Sequence, residues 1–111
     1  MSPTLSDAQY DALSREVLRA IETTVDRWLD EDVIDIDTHR TGGLLELSFP
    51  DGSKLIVNTQ PPLHEIWLAA REGGFHYRWS SGCWHDTRDG SEFLQALSTH
   101  ASRQAGKTLS F

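Results

Sequence analysis

The chain has 111 residues, a length typical of one domain with a single core, so we expect one domain over residues 1–111. Hydrophobic residues make up 38% and charged residues 24%, an ordinary globular composition, and no apolar run is long enough to span a membrane. The net charge of -7, from 17 acidic and 10 basic residues, argues against sequence-independent nucleic-acid binding because phosphates would be repelled.

The N-terminus and the cysteine content both favour a cytoplasmic protein. Residues 1–13 show neither the basic and apolar regions of a secretory signal nor the Arg-rich, acid-poor composition of a transit peptide. Cys83 is the single cysteine, which excludes an internal disulfide and a CxxC metal site.

A first helix is predicted by apolar residues that recur at three- and four-residue steps from Tyr10 to Trp28, about five turns. Ser6 or Asp7 can cap it after a short tail over residues 1–6. Glu22 and Asp26 stack on its outer face, and Asp30 continues the row if the helix extends that far.

The negative charge is concentrated in residues 22–37, where seven acids and one base give a net -6 of the total -7. The acids are Glu22, Asp26, Asp30, Glu31, Asp32, Asp35 and Asp37. Each close pair of like charges costs up to about 1 kcal/mol, and acids at a helix C-terminus also oppose its dipole. Relieving this repulsion, with salt, divalent metal or lysine at Asp26 and Asp30, is expected to raise the melting temperature. Three interpretations remain: a site for hard cations, a dock for a basic partner, or a solvated helix end that maintains solubility.

The following segment, residues 33–38, switches to a period of two, which predicts a first strand with Ile34 and Ile36 on one side. Asp35 and Asp37 would then lie on the other side, where charge on an edge strand also blocks aggregation.

The rest of the chain reads as a run of strands and one more helix. Turn signals separate the strands; they lie at residues 41–43, 50–53, 61–62, 73–74 and 80–82. A second helix carries Phe93 and Leu97 on its inner stripe and stops at Gly106, and Leu109 and Phe111 are expected to pack back on the domain. This order predicts an α+β two-layer sandwich: an antiparallel sheet of about six strands, with the N- and C-terminal helices packed on one face.

Trp67 lies between Ile66 and Leu68, so strand alternation places it on the opposite face. If those neighbours are core, Trp67 is exposed and suits an interface anchor; the alternative is a buried tryptophan. Cys83 precedes a tryptophan on a strand and is assigned to packing. The chain contains no nucleophile elbow, phosphate-binding loop or paired-histidine motif, so we predict no enzymatic activity.

Several segments resemble one known family in order and spacing. Residues 58–69, NTQPPLHEIWLA, followed by GGFHY at residues 73–77, resemble the central sheet motif of the frataxins. DGSK at residues 51–54 and QAGKTLSF at residues 104–111 resemble the bacterial branch of that family.

The resemblance implies an iron-binding regulatory adaptor of iron–sulfur cluster assembly. Such a protein binds Fe²⁺ or Fe³⁺ through an acidic ridge and docks on the cysteine desulfurase and its scaffold protein. We expect the iron to be weakly held and exchangeable, because surface carboxylates are hard donors that would also take Ca²⁺ or Mn²⁺. A monomer is expected; the alternative is an iron store or detoxifier that acts by metal-driven oligomerisation.

The resemblance also assigns residues. Glu22 and Asp26 match ridge acids of the helix, and Asp35 and Asp37 match ridge acids of the first strand. By this resemblance the connection after the helix is longer than in the family by a couple of residues, so three acids match by neighbourhood only: Asp30, Glu31 and Asp32.

On the sheet, Trp67 matches the exposed tryptophan used for partner contact, with the polar Asn58 and Gln60 beside it. Two positions depart from the bacterial pattern: Thr59 replaces the usual arginine and Glu65 the usual glutamine, and both are expected to make the sheet surface less positive. His39 falls where the strand is often acidic, and is either an imidazole ligand or a solvent-exposed side chain.

Overall fold

A computed structural model of the chain describes residues 5–111. Two helices flank six strands: α1 (Asp7–Asp30), β1 (Asp37–Thr41), β2 (Leu44–Ser48), β3 (Lys54–Gln60), β4 (Glu65–Ala70), β5 (Gly73–Ser80), β6 (Cys83–Asp86) and α2 (Phe93–Ala105). A 3₁₀ turn over Pro61–Leu63 joins β3 to β4. The strands form one antiparallel sheet in chain order, which confirms the predicted α+β architecture. Within the described residues, no helix has the length and apolar character needed to cross a membrane.

The core lies between the helices and one face of the sheet. Tyr10, Ile21 and Val25 of α1 and Phe93 and Leu97 of α2 are buried, at the spacings predicted for their inner stripes. They face the buried side chains of the sheet, Leu45, Leu47, Leu55, Val57, Ile66, Leu68 and Tyr77. Alternate strand residues therefore form an outer sheet face, on the side of the sheet opposite to α1 and α2.

Helix α1 starts where predicted and extends further than predicted. The Ser6 hydroxyl accepts a hydrogen bond from Gln9 N at 3.1 Å, and the Gln9 side chain accepts one from Ser6 N at 2.9 Å, which completes a capping box. The tail predicted for residues 1–6 lies mostly outside the described residues. The helix continues for 24 residues to Asp30, so Asp30 does continue the row of Glu22 and Asp26.

The end of α1 gives one of the acids a backbone role. Val33 N donates to Trp28 O at 2.8 Å and Asp32 N donates to Leu29 O at 3.1 Å, the two hydrogen bonds of a Schellman motif. Asp32 takes the left-handed conformation that this motif requires, with φ of 57°. Its carboxylate thus remains exposed while its backbone ends the helix.

The first strand predicted for residues 33–38 is wrong in its bounds, because β1 begins only at Asp37. Asp37 is opposite Ser48, the last residue of β2, and beyond it the chain turns away through the hydrogen bond from Gly52 N to Phe49 O. Within residues 5–111, residues 33–36 therefore have no neighbouring strand to pair with. Ile36 is nonetheless buried, so the alternation reflects packing of an extended segment.

The structure corrects the prediction for Cys83 on β6 and confirms the prediction for the C-terminal segment. Cys83 is exposed rather than packed, because it faces the side of β6 opposite to the buried Trp84. The C-terminal segment does pack back: Leu109 is buried, and the Phe111 ring lies 4.7 Å from the Trp28 ring, centroid to centroid.

Candidate metal-binding ridge and exposed sheet face

The seven acids of residues 22–37, which we call the acidic ridge, lie along one edge of the molecule. Glu22, Asp26 and Asp30 follow at four-residue spacing on α1, so they share a helix face. The others continue from the end of the helix to the start of β1; they are Glu31, Asp32, Asp35 and Asp37. Arg40 of β1 contacts Glu22 of α1, which shows that β1 runs beside the C-terminal half of the helix.

Ion pairing divides the ridge into engaged and free carboxylates. Glu22 Oε1 lies 2.6 Å from Arg40 Nη1, and both side chains are about 30% exposed. Glu31 lies 3.5 Å from Arg27 in a more exposed pair, which contributes little. The remaining five form no ion pair or side-chain hydrogen bond within residues 5–111; these free ridge acids are Asp26, Asp30, Asp32, Asp35 and Asp37.

The chemistry of these donors fits a loosely held hard cation. Carboxylate oxygens are the ligands preferred by hard metal ions, and the free ridge acids are all exposed to water. In the described part of the chain, no three Asp, Glu, His or Cys side chains converge as a closed metal site. An ion on this surface would therefore keep much of its water and exchange readily. His39 is exposed, with Nε2 3.3 Å from Thr41 Oγ1.

The second predicted surface is the outer face of the sheet around Trp67. Ile66 and Leu68 are buried and Trp67 points the other way, which confirms the alternation, although the indole is half-buried. Trp67 lies directly opposite Asn58, and Gln60 is opposite Glu65 in the same strand pair. The structure thus brings the three predicted partner-binding residues together on one face.

Glu65 holds the Trp67 indole in place, a role that sequence reasoning missed. The indole Nε1 donates to Glu65 Oε1 at 2.8 Å, and the ring stacks on His76 at 4.2 Å with planes 7° apart. Arg78 Nε donates to the other carboxylate oxygen at 2.7 Å. Glu65 therefore neutralises a neighbouring arginine and fixes an aromatic ring. The available signal was the two-residue spacing of Glu65 and Trp67, which places both on one strand face.

The ionisation of Glu65 reflects the same contacts. The side chain is only 8% exposed, and burial alone would raise its pKa. Hydrogen bonds from Trp67 and Arg78, with the charge of Arg78, outweigh that effect and leave the pKa below its ordinary value. The carboxylate is thus held in its charged form beside Trp67.

Glu65→Gln is expected to flatten the acid side of the stability–pH curve. A carboxyl whose pKa is lowered by folding stabilises the protein above its unfolded-state pKa, and that contribution is lost as the pH falls through the folded-state pKa. The variant lacks this pH-dependent stabilisation, and its free energy of unfolding at pH 7 should be lower by about 1 kcal/mol. Urea unfolding from pH 3 to pH 7 measures both effects. Glu46→Gln, which breaks a more exposed pair with Lys54, is the control; parallel curves for wild type and Glu65→Gln would contradict the assignment.

Thr59, expected on the same surface, lies on the other face of the sheet. It follows the parity of the buried Leu55 and Val57, whereas Asn58 and Gln60 point outward. Its hydroxyl fits against Gly43, where an added Cβ would lie 2.0 Å from Thr59 Oγ1. The absence of an arginine at this position therefore leaves the charge of the Trp67 face unchanged.

Comparison with known proteins gives one consistent family. A family model described as a frataxin-like domain matches residues 3–107. Proteins named iron–sulfur cluster assembly protein CyaY are similar over 107 residues: those of a Polaromonas species and of Burkholderia mallei are each 50% identical, covering 96% of this chain and 92% and 98% of the relatives.

Solved structures show the same fold. Frataxin from Psychromonas ingrahamii is 37% identical with a TM-score of 0.84, covering 96% of this chain and 97% of that one. Trimeric frataxin from the yeast Saccharomyces cerevisiae, complexed with ferrous iron, is 23% identical with a TM-score of 0.66, covering 96% and 92%; this likeness concerns the fold alone.

Proposed function

Because this chain belongs to the frataxin family, we propose that it is an iron-binding regulatory adaptor of iron–sulfur cluster assembly. Relatives that are 50% identical along nearly the whole chain are named iron–sulfur cluster assembly proteins, which supports a role in that process. In this proposal the acidic ridge binds iron and meets a basic surface of the cysteine desulfurase. The Trp67 face contacts the desulfurase and its scaffold protein.

The observation that carries the proposal is the set of free ridge acids. Five exposed carboxylates without a cationic partner in residues 5–111 repel one another, and this repulsion is relieved when a cation or a basic surface approaches. Iron is then held weakly by a few oxygen donors and water, which suits an ion that is exchanged or sensed. A basic partner face gains the same electrostatic attraction, so metal and partner compete for the same acids.

The Trp67 face supplies the second contact. The Trp67 ring is held in one orientation by a hydrogen bond and a stacked histidine, so it needs little further ordering when a partner binds. Its N–H is already occupied by Glu65, so a partner contacts the indole through its apolar surface. Asn58 and Gln60 offer side-chain amides at the rim of that contact.

A binding titration against a cysteine desulfurase tests the proposal. Trp67→Ala should weaken binding about 30-fold, as expected for a central aromatic anchor worth about 2 kcal/mol. Neutral amides at Asp26, Asp30, Glu31 and Asp32 should weaken it at low salt and remove most of its salt dependence. Cys83→Ser, exposed at the opposite edge strand, serves as the control.

Two measurements distinguish the adaptor proposal from the alternative of an iron-storage protein. Absence of wild-type binding at both low and high salt would overturn the adaptor proposal and leave a free-standing metal binder. Sedimentation after addition of Fe²⁺ tests the storage alternative, because a store must form large metal-driven assemblies, whereas the adaptor should remain small.

A further inference from the structure

A basic cleft lies beside the N-terminal half of α1, further along the same helix face as the acidic ridge. Its volume is about 570 Å³, and it lies between α1, the β1–β2 turn and the end of β3. Arg15 and Arg19 of α1, Arg40 of β1 and Thr59 of β3 line it. We call this group the basic cleft.

The charge of this cleft opposes that of the whole chain. Its lining holds three arginines and one acid, Asp11, a net +2 in a chain of net -7. Arg15 and Arg19 are four residues apart on one helix, a spacing at which like charges repel. Asp11 and Glu22 offset part of this repulsion, and a bound anion would relieve it further.

The arginines differ in how readily they can bind an anion. Arg19 forms no ion pair within residues 5–111, and the Arg15–Asp11 contact at 3.2 Å joins two largely exposed side chains. Such an exposed pair is easily displaced. Arg40 is held by Glu22 at 2.6 Å, so an incoming anion competes with Glu22 for this guanidinium.

The uncharged part of the lining also suits an oxyanion. Thr59 Oγ1 has no hydrogen-bond partner within residues 5–111 and lies against Gly43, the one turn residue whose missing Cβ leaves room for it. A hydroxyl and planar guanidinium groups are the donors that bind phosphate oxygens. The cleft volume lies in the range of small-molecule sites rather than flat protein contacts.

From these features we propose that the basic cleft binds a small multivalent phosphate, with Arg15, Arg19 and Arg40 around the anion and the Thr59 hydroxyl as a donor. The phosphate is either free pyrophosphate or the diphosphate of a nucleotide. This site is independent of iron and of the desulfurase, so it stands whether or not the proposed function does.

The test is an amide NMR titration with pyrophosphate and, separately, with ADP, in metal-free buffer at 150 mM salt. Saturable shifts should cluster at Arg15, Arg19, the Gly42–Gly43 turn and Thr59. Arg19→Ala and Arg40→Ala should each weaken binding at least about five-fold. Arg88→Ala, an exposed arginine outside the cleft, should leave it unchanged. Stronger binding of ADP than of pyrophosphate would identify the nucleotide as the source.

A charge-matched pair of variants distinguishes the site from general attraction. Glu22→Gln frees Arg40 and should strengthen pyrophosphate binding, whereas Asp26→Asn removes the same charge one turn away and should change it little. The proposal would be overturned if Glu22→Gln and Asp26→Asn changed pyrophosphate binding equally, or if Arg88→Ala weakened it as much as Arg19→Ala. It would also be overturned if the titration gave no saturable shift. Binding of an acidic peptide without binding of pyrophosphate would overturn it as well.

Discussion

Replacing Asp26, Asp30, Asp35 and Asp37 with asparagine is expected to weaken Fe²⁺ binding at least about ten-fold and to raise the melting temperature. Four of the free ridge acids lose their charge, so an ion loses both its donors and the surrounding negative potential. Relief of repulsion by about 1–2 kcal/mol would raise the melting temperature by roughly 4–8 °C in a domain of this size. Anaerobic titration with Fe²⁺, or with Mn²⁺ as a probe, and thermal unfolding measure the two effects.

Glu22, the less exposed of the two ridge acids that form ion pairs, should behave in the opposite way. Glu22→Gln leaves the half-buried Arg40 without its carboxylate, so the melting temperature should fall. Glu16→Gln, on an exposed part of the same helix, is the control for charge removal. The rise in melting temperature of the variant with four asparagine replacements should be smaller in high salt, because salt screens surface charges. A lower melting temperature for that variant would show that these acids stabilise the fold, and the repulsion argument would be wrong.

Much of the fold could be predicted from local sequence patterns. The errors of that prediction arise where a bound depends on pairing with a distant segment. β4, Glu65–Ala70, does lie between the turn signals at residues 61–62 and 73–74, because both flank an unambiguous apolar segment. The second turn falls two residues earlier than predicted, at Arg71–Glu72, since Gly73 and Gly74 already pair with β4 as the first residues of β5. The bounds of β1 were wrong because a strand extends only as far as its neighbour, and β2 ends at Ser48. Periodicity records which side chains are buried, but not whether another backbone lies alongside.

The candidate site shows the same division. The seven ridge acids are visible as a charge run, and the alternation of Ile66, Trp67 and Leu68 correctly places the tryptophan outward. Which acids are free depends on Arg40, 18 residues from Glu22 in sequence. The orientation of Thr59 and the partners of Glu65 likewise depend on contacts between strands. Local spacing could therefore locate the surfaces but not the pairing within them.

Tyr10→Phe should lower the stability of the fold more than Tyr77→Phe, a second change at a buried tyrosine. Tyr10 is buried on α1, where its hydroxyl donates to Glu65 O at 2.6 Å and accepts from Gln60 N at 3.0 Å. A tyrosine hydroxyl is protonated at neutral pH, and burial raises the pKa of Tyr10 further above its ordinary value. The variant leaves a backbone N–H and a backbone C=O unpaired, which should cost about 2–3 kcal/mol and lower the melting temperature by roughly 10 °C.

The same bond should also matter for the Trp67 face. Gln60 and Glu65 are the paired ends of β3 and β4, so the Tyr10 hydroxyl ties α1 to the point where the outer face is anchored. Its loss should speed hydrogen exchange at the Gln60 amide and weaken desulfurase binding through a looser Glu65 and Trp67. Tyr77→Phe is the matched control, because Tyr77 is equally buried yet its hydroxyl forms no hydrogen bond within residues 5–111. Equal losses of stability in the two variants would mean that the Tyr10 hydroxyl does not join the helix to the sheet, and that burial of the ring alone holds this contact.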